Sequence, residues 1–525
     1  MDSGRAFSTF PSRRSRRYGW AVLALALGSP MVVCAAEPQA APGLGLVEAI
    51  RLMLAQDPNL AIEQARLRSS RGVLLSSRGA FDPVVGTSLE QTRTDTPLAE
   101  TSSSEQRTLG NSVGFTKLFR TGFSIAPQLE LLRTEDLSGT TGAANAGTLS
   151  FTLRQPLLRG RGRTATAAPE LSAERQVAAS ELDLRQTTAE RALAVANQYW
   201  QTRAAVLDLA VLRESEERAR ELLATTRKLI DADVTPAADL VQVEANVVAK
   251  ETARIGGERA LFESRQALGR EIGLAPERLA ALPPPSDPFP EVNPSAVPSL
   301  ADGPQWIAKA LARRADLNAA RERRDAAEIL RRAADNGLKP RLDLVLTPSY
   351  SGLVAGTGAG TFFSPLYRNV PGVSSSLSLS LSWPTVNRQA RGELAQIEAA
   401  LEQSRLLEDL LTRQIGADVP TALDGVASSA QQLERATEAV RLFERAVENE
   451  EKKLRAGTST LIDVISQRDR LTAARQSEVS ARLALAQALV QLRFETGTLL
   501  PRAGDPQAVR SADFTTIPFQ AGDEP

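Results

Sequence analysis

The chain has 525 residues, with 62 Lys+Arg against 62 Asp+Glu, one cysteine and no histidine. Without histidine there is no Ser-His-Asp triad, no Cys-His pair and no His-ligated zinc or haem, and Cys34 alone makes no intrachain disulfide or iron–sulfur site. Zero net charge argues against nucleic-acid binding, and the skew of 55 Arg to 7 Lys reads as composition bias. Hydrophobic residues make up 42% and aromatics 4%. The balance is tipped toward Ala, Leu, Arg, Glu and Gln, the composition of long exposed helices rather than of one compact core.

At the N-terminus Arg13, Arg14, Arg16 and Arg17 precede an apolar stretch from Ala21 to Ala36 that Ser29 and Pro30 interrupt. It is too short and broken for a membrane span. With the small-residue end Cys34-Ala35-Ala36 it reads as a secretory signal peptide, residues 1–36. Cleavage before Glu37 removes Cys34 and leaves a net charge of −4. A second reading lipidates Cys34, for which the preceding Val33 is a poor fit. No later run reaches the 18 apolar residues of a spanning helix. A secreted chain of this kind is then soluble or enters a membrane as a β-barrel.

The rest of the chain repeats itself. Residues 49–83 and 306–340 are two helical patterns, each ending at a Pro, with Leu60 matching Leu317 and Pro83 matching Pro340 at one offset of 257. With an offset of 224, Val195 falls on Val419, Asp239 on Asp463, Leu268 on Leu492, Glu271 on Glu495 and Gly273 on Gly497. Each half therefore reads helix, strands, long helix, turn, long helix. The predicted division is a first repeat over 37–290, a second over 291–500 and a flexible tail over 501–525.

In chain order, the opening helical pattern is followed by strand candidates at 84–92, 112–118, 121–132 and 148–155. Leu149, Phe151 and Leu153 alternate there with Ser150, Thr152 and Arg154. A Gly- and Pro-free stretch from Leu171 to Val234 predicts a very long helix with seven-residue apolar spacing, such as Tyr199 to Val206. A second helix starts near Pro236 and runs to Gly273, with a weak point at Gly256-Gly257. In the second repeat, Leu342, Leu344 and Leu346 make one apolar stripe. Leu377, Leu379, Leu381 and Trp383 make another, alternating with serines. Helices then follow over 426–456 and 461–496, divided by the stop-and-cap sequence Gly457-Thr458-Ser459.

Polar segments Thr94–Arg107, Thr134–Gly147 and Ser351–Gly372 read as loops. Gly356-Thr357-Gly358-Ala359-Gly360 lacks the Gly-Lys-Ser/Thr ending of a phosphate loop, so a flexible external loop is expected there. Tyr350, Tyr367 and Trp383 stand near strand ends, where interfacial aromatics of a barrel would sit. Arg159, Arg161 and Arg163 cluster at a strand-to-helix return and are expected to face phosphate headgroups or acidic side chains.

These features together resemble the TolC-like outer-membrane channel family. Leu44-Gly-Leu-Val-Glu-Ala-Ile50 followed by Asp57-Pro-Asn-Leu60 resembles its opening helix. Gln155-Pro-Leu-Leu-Arg-Gly160 and Trp383-Pro-Thr-Val-Asn387 resemble its strand-to-helix returns, and Gly457-Thr-Ser-Thr-Leu-Ile-Asp-Val464 resembles its last hairpin tip. The resemblance covers Leu44 to Leu500. It implies a mainly α fold with β: duplicated helical hairpins forming a periplasmic α-barrel, plus strands of a trimeric transmembrane β-barrel. The family pattern is two strands per half, so three chains would close a twelve-stranded barrel, and the four candidates in the first half depart from it.

The implied function is a non-enzymatic exit duct of a tripartite efflux pump or type I secretion system. The implied location is the outer membrane, extending into the periplasm. The implied partners are two further copies, a periplasmic adaptor (membrane fusion) protein, an inner-membrane transporter and outer-membrane lipid, with no nucleic acid, cofactor or metal. The resemblance also suggests Asp463 and Ser466, the latter where an acidic residue is common, as periplasmic gate candidates, and the repeat adds Asp239; helix capping or a solvated tip charge is the competing role. Adaptor docking falls at the tips, on Asp233 and Thr235 and on Gly457 and Thr458. The rival reading is a secreted or periplasmic coiled-coil scaffold. A carboxylate-based enzyme is ranked last, because no Asp/Glu pair sits in a recognisable pocket context.

Overall fold

The computed structural model describes residues 43–99, 102–137, 142–231, 238–279, 281–292, 300–367, 372–501 and 509–519, all within one unit, Gly43–Pro525. The expected signal peptide, Cys34, Asp233 and Thr235 lie outside the described residues.

The first repeat opens with α1 (Leu46–Gln56) and α2 (Pro58–Gly79). It continues through β1 (Val84–Ala99), β2 (Ser102–Leu118), β3 (Ser124–Asp136) and β4 (Ala144–Pro156). The short α3 (Arg163–Thr166) leads into α4 (Ala168–Asp231), α5 (Ala238–Ile272) and the short α6 (Pro276–Leu279). The second repeat has α7 (Gly303–Arg313), α8 (Ala315–Gly337), β5 (Arg341–Ala355), the short α9 (Ala359–Phe363) and β6 (Gly372–Ser382). It ends with α10 (Arg388–Arg455), α11 (Leu461–Glu495) and the short α12 (Ala512–Thr515).

The 64 residues of α4 and 68 of α10 correspond to about 100 Å each at about 1.5 Å per residue. Each long helix serves two levels. Beside the sheet, α4 packs on α2 and α8, and α8 packs on α10; Ser70 meets Ser180, and Glu408 takes both Arg321 and Arg324. Further from the sheet, α4 packs on α5 and α11, and α11 packs on α10. Four helices therefore stand side by side at either level.

Two interruptions that read as breakers do not break. α10 runs unbroken through Gly416, Pro420 and Gly425, extending well before the predicted start at 426, because α8 packs along it at one end and α11 at the other. Tertiary packing offsets the missing Pro420 donor. α5 passes through Gly256-Gly257, and a Cβ at Gly257 would lie 2.8 Å from Leu212 Cδ1, so this glycine lets α5 approach α4.

The duplication is visible at matching joints. Gly273 and Gly497 both end their helices with positive φ, +84° and +67°. A Cβ on Gly273 would meet Asp57 Cα at 2.9 Å, and one on Gly497 would meet Arg313 C at 3.1 Å and Arg314 N at 3.2 Å. Asp57 and Arg314 are themselves the 257-offset pair. Val195 and Val419, and Leu268 and Leu492, are fully buried. One core gathers α1, Tyr199 and Trp200. The other gathers Trp306, Val419 and Leu489.

The six strands form one antiparallel sheet in chain order, β1 to β6. The four strand candidates of the first repeat and the two of the second are all strands, six per chain, where the family pattern implied four. Two expected loops are also largely strand, since β1 and β2 converge on residues 99 and 102, and β3 and β4 on 136 and 144. Ladder hydrogen bonds continue into the polar stretches because Thr and Ser satisfy the pleat as well as apolar residues do.

The third expected loop is folded rather than flexible. Residues 356–367 double back over the upper ends of β3 and β4. The fully buried Asn145 donates to Val354 O at 3.1 Å and Gly356 O at 2.8 Å and accepts from Arg133 at 2.7 Å, while Arg133 also reaches Gly358 O at 2.7 Å.

Candidate channel wall and periplasmic gate

Strict alternation gives the sheet two faces. One complete row of directly opposed residues across all six strands reads Thr87, Val113, Leu129, Leu149, Tyr350, Val373. The same face carries Val85, Leu89, Phe115, Phe151, Leu346, Leu377, Leu379 and Leu381, all exposed in the single chain. The opposite face carries Ser88, Glu90, Ser112, Gln128, Glu130, Thr148, Ser150 and Ser374 to Ser380 on alternate positions. An apolar face left uncovered beside a concave polar one is the arrangement of a wall between lipid and water.

The sheet is fixed to the helices at its lower end. The β2–β3 turn presents Arg120, whose guanidinium bonds both oxygens of Glu170 at 2.6 and 2.7 Å, while Thr121 O accepts from Gly162 N at 2.9 Å. Glu170 is only 4% exposed. The Arg120 hydrogen bond holds its carboxyl below the usual glutamate range, with Arg78 and Arg163 adding to the effect. Arg159, Arg161 and Arg163 are all exposed.

At the far end, Gly457 (φ +74°) closes α10. Thr458 N donates to Lys453 O at 3.0 Å and Gly457 N to Leu454 O at 3.0 Å, a Schellman stop. Thr460 then caps α11. Asp463 N donates to Thr460 Oγ1 at 3.3 Å, and Asp463 Oδ2 accepts from Thr460 N at 3.2 Å and Thr460 Oγ1 at 2.6 Å. These bonds, the hydroxyl one first, hold the exposed Asp463 carboxyl below the usual aspartate range, so it is ionised at neutral pH. Ser466, one turn on, is half-buried. Asp239 is half-buried in the first turn of α5, the equivalent place on the other hairpin. Gly457 and Thr458 are exposed at the tip.

Sequence reasoning missed the contacts that tie the two hairpins together. Lys250 Nζ on α5 meets Asp469 Oδ1 on α11 at 2.6 Å, Arg475 bridges Glu214 at 2.6 Å and Glu444 at 2.9 Å, and Arg468 donates to Arg218 O at 3.1 Å. The one signal available was Lys250, a rare lysine in a chain that otherwise uses arginine.

Residues 306–498 match the model of the family described as Outer membrane efflux protein. The pyoverdine export outer membrane protein OpmQ of Pseudomonas putida is 28% identical over 327 residues, 61% of this chain and 64% of that relative, less than two thirds of its length. Among solved structures, VceC of Vibrio cholerae superposes with a TM-score of 0.62 at 16% identity, covering 86% of this chain and 96% of that one. CmeC of Campylobacter jejuni gives 0.62 at 12% identity, covering 88% and 87%. The chain thus has the fold of the TolC-like outer-membrane channels, helical hairpins with a strand sheet.

Proposed function

We propose that the chain is an outer-membrane exit duct that conducts cargo from the periplasm, assembled as a homotrimer and served by a periplasmic adaptor and an inner-membrane transporter. The observation that carries this is the uncovered apolar face of the sheet, continuous over six strands and standing at one end of helices about 100 Å long. A scaffold that stays in water has no use for such a face. Among the described residues neither edge of this sheet is paired, and an open edge is forbidden in lipid, so more than one chain is required.

The helices support the same assembly. Val241, Val248, Ile255 and Phe262 recur every seven residues along α5, 58–71% exposed, an unpartnered coiled-coil seam. Asp463 lies where three copies would form a carboxylate ring at the periplasmic opening, with Ser466 and Asp239 beside the same constriction. The tips at Asp233, Thr235, Gly457 and Thr458 are the adaptor's docking points. The inter-hairpin contacts of Lys250 and Arg475 hold the gate closed. The chain performs no chemistry, and cargo selection belongs to its partners.

The test is fractionation followed by planar-bilayer recording. A detergent-resistant trimer in the outer membrane that conducts ions is expected, and a soluble monomer without conductance would overturn the proposal.

A further inference from the structure

We infer that the β-barrel has eighteen strands, closed by pairing β6 of one chain with β1 of the next, so that it is as wide as the helical ring beneath it. The inference rests on the trimeric channel reading and adds to it the identity of the closing edge. Four observations carry it.

First, β1 and β2 are full members of the wall. They have 16 and 17 residues, against the 9–11 needed to cross a bilayer, and their register to β3 continues the apolar and polar faces without a break. Second, the turn joining β2 to β3 is bolted to the start of α4 by Arg120 and Glu170, so this hairpin is anchored at the helical junction and not appended outside it.

Third, the apolar band descends across the sheet. Measured from the Thr87–Val373 row, it reaches two residues below on β1, at Val85, and eight below on β6, at Leu381. This descent of the lower margin by six residues over five strand steps corresponds to a tilt of roughly 40°, near that of barrel strands, at about 3.3 Å per residue and 4.8 Å between strands. A band that must stay level in a membrane descends in this way only if all six strands belong to one tilted wall.

Fourth, the repeat dictates which edges meet. Within the chain, the first repeat joins the second through β4–β5 in the sheet and α4–α11 in the helices. Applying the same step from the second repeat to the next chain's first pairs β6 with β1 and sets α10 against α5. The exposed α5 seam and the exposed edge strands, β1 over Val84–Pro97 and β6 over Val373–Ser382, lie where that step needs them. Eighteen strands at about 40° tilt enclose roughly 36 Å, against roughly 24 Å for twelve. Twelve helices at about 8–10 Å spacing enclose roughly 30–38 Å, so the eighteen-stranded wall continues the helical ring without narrowing.

The experiment uses the full chain with Cys34 replaced by Ser and cysteines on the polar face. Ser378→Cys is combined with Ser88→Cys on β1 or with Gln128→Cys on β3, and purified outer membranes are oxidised. Covalent dimers and trimers with the Ser88/Ser378 pair, absent from either single variant, are the expected result. Crosslinking of Gln128/Ser378 instead would mean that β3 to β6 close a twelve-stranded barrel and would overturn the inference while leaving the channel reading intact. An intact trimer in which neither pair crosslinks also overturns it. A soluble monomer removes the channel reading itself.

Discussion

α5 and α11 carry the same line of positions and bury it differently. Val241, Val248, Ile255 and Phe262 on α5 correspond, at the 224-residue offset, to Ile465, Thr472, Val479 and Ala486 on α11. The first set is 58–71% exposed. In the second, Val479 and Ala486 are buried, and Thr472 reaches Ser215 of α4 at 3.3 Å. The difference is not in the helices, which have 35 residues each, but in what lies next to them. α11 finds the long helix of the preceding repeat within its own chain, whereas α5 has none. In the proposed trimer, each repeat would supply its neighbour's missing wall.

The sharpest way to break that comparison is to place a charge on each line. Val479→Asp puts a carboxylate where the chain itself is closed, at a cost of several kcal/mol, and should lose folded protein altogether. Ile255→Asp puts it on a surface that is open in the single chain. It should leave helical circular dichroism intact while the detergent-resistant trimer disappears. If Ile255→Asp still yields stable trimer, the seam is not an interface.

The joints of the two repeats give the next largest contrast. Gly273→Ala and Gly497→Ala each force a Cβ into a left-handed backbone, about 1–2 kcal/mol, and against a neighbouring chain segment, about 1–3 kcal/mol more. Gly273 has the tighter approach, 2.9 Å against 3.1 Å, so its variant should melt lower. The reverse order in thermal denaturation would mean that the two joints relax differently.

Much of this was legible in the sequence, for identifiable reasons. The absence of Gly and Pro over 171–234 and the strict alternation at Leu377–Trp383 are local signals, and they marked α4 to within three residues of its start and the second half of β6. The duplication was legible because Gly273 and Gly497 answer a backbone requirement that few other residues meet. What was not legible depends on neighbours distant in sequence. α10 crosses Pro420 because two helices hold it. β1 extends to Ala99 and β2 begins at Ser102 because each pairs the other. The loop at 356–367 folds back because the buried Asn145 organises it. Of the proposed gate, the sequence marked Asp463 and named helix capping as its competing role, which the Thr460 bonds display, but it did not mark the partners of Lys250.

At the matched position the two joints carry opposite charges, Asp57 in the first and Arg314 in the second, and this makes a pH prediction. In the first, Arg191 bonds Asp57 and Glu271, and Asp57 keeps two further bonds from Asn59. In the second, Arg314 bonds Glu495 and Asp316. Burial pushes the Glu495 carboxyl above the usual glutamate range, against the opposing pull of Arg314. A raised value means that the folded chain holds this proton more tightly than the unfolded one. Its contribution is therefore full below the ordinary value of 4.5 and is lost as pH rises through the folded value. Arg314→Met removes the opposing charge, so the variant should be destabilised by about 3–5 kcal/mol near neutral pH and recover part of that on acidification. Arg191→Met should cost less, since Asp57 retains the Asn59 donors. Melting temperatures of Arg314→Met that do not change with pH would exclude Glu495 as the group responsible.

The smallest effects on stability, and the most specific effects on conductance, belong at the gate. Lys250 and Asp469 are 18% and 48% exposed, so separating them by Lys250→Ala should cost no more than about 1 kcal/mol. The same change frees α5 from α11 beside the tips, and single-channel recordings should show longer or larger openings. Asp463→Asn keeps the shape of the cap and removes a charge. It should lower cation selectivity and relieve block by multivalent cations while leaving Lys250→Ala openings unaffected. Wild-type reversal potentials and cation block in Asp463→Asn would confine Asp463 to the capping role that its bonds to Thr460 already display, and would move the search for the selectivity ring to Asp239 on the neighbouring hairpin.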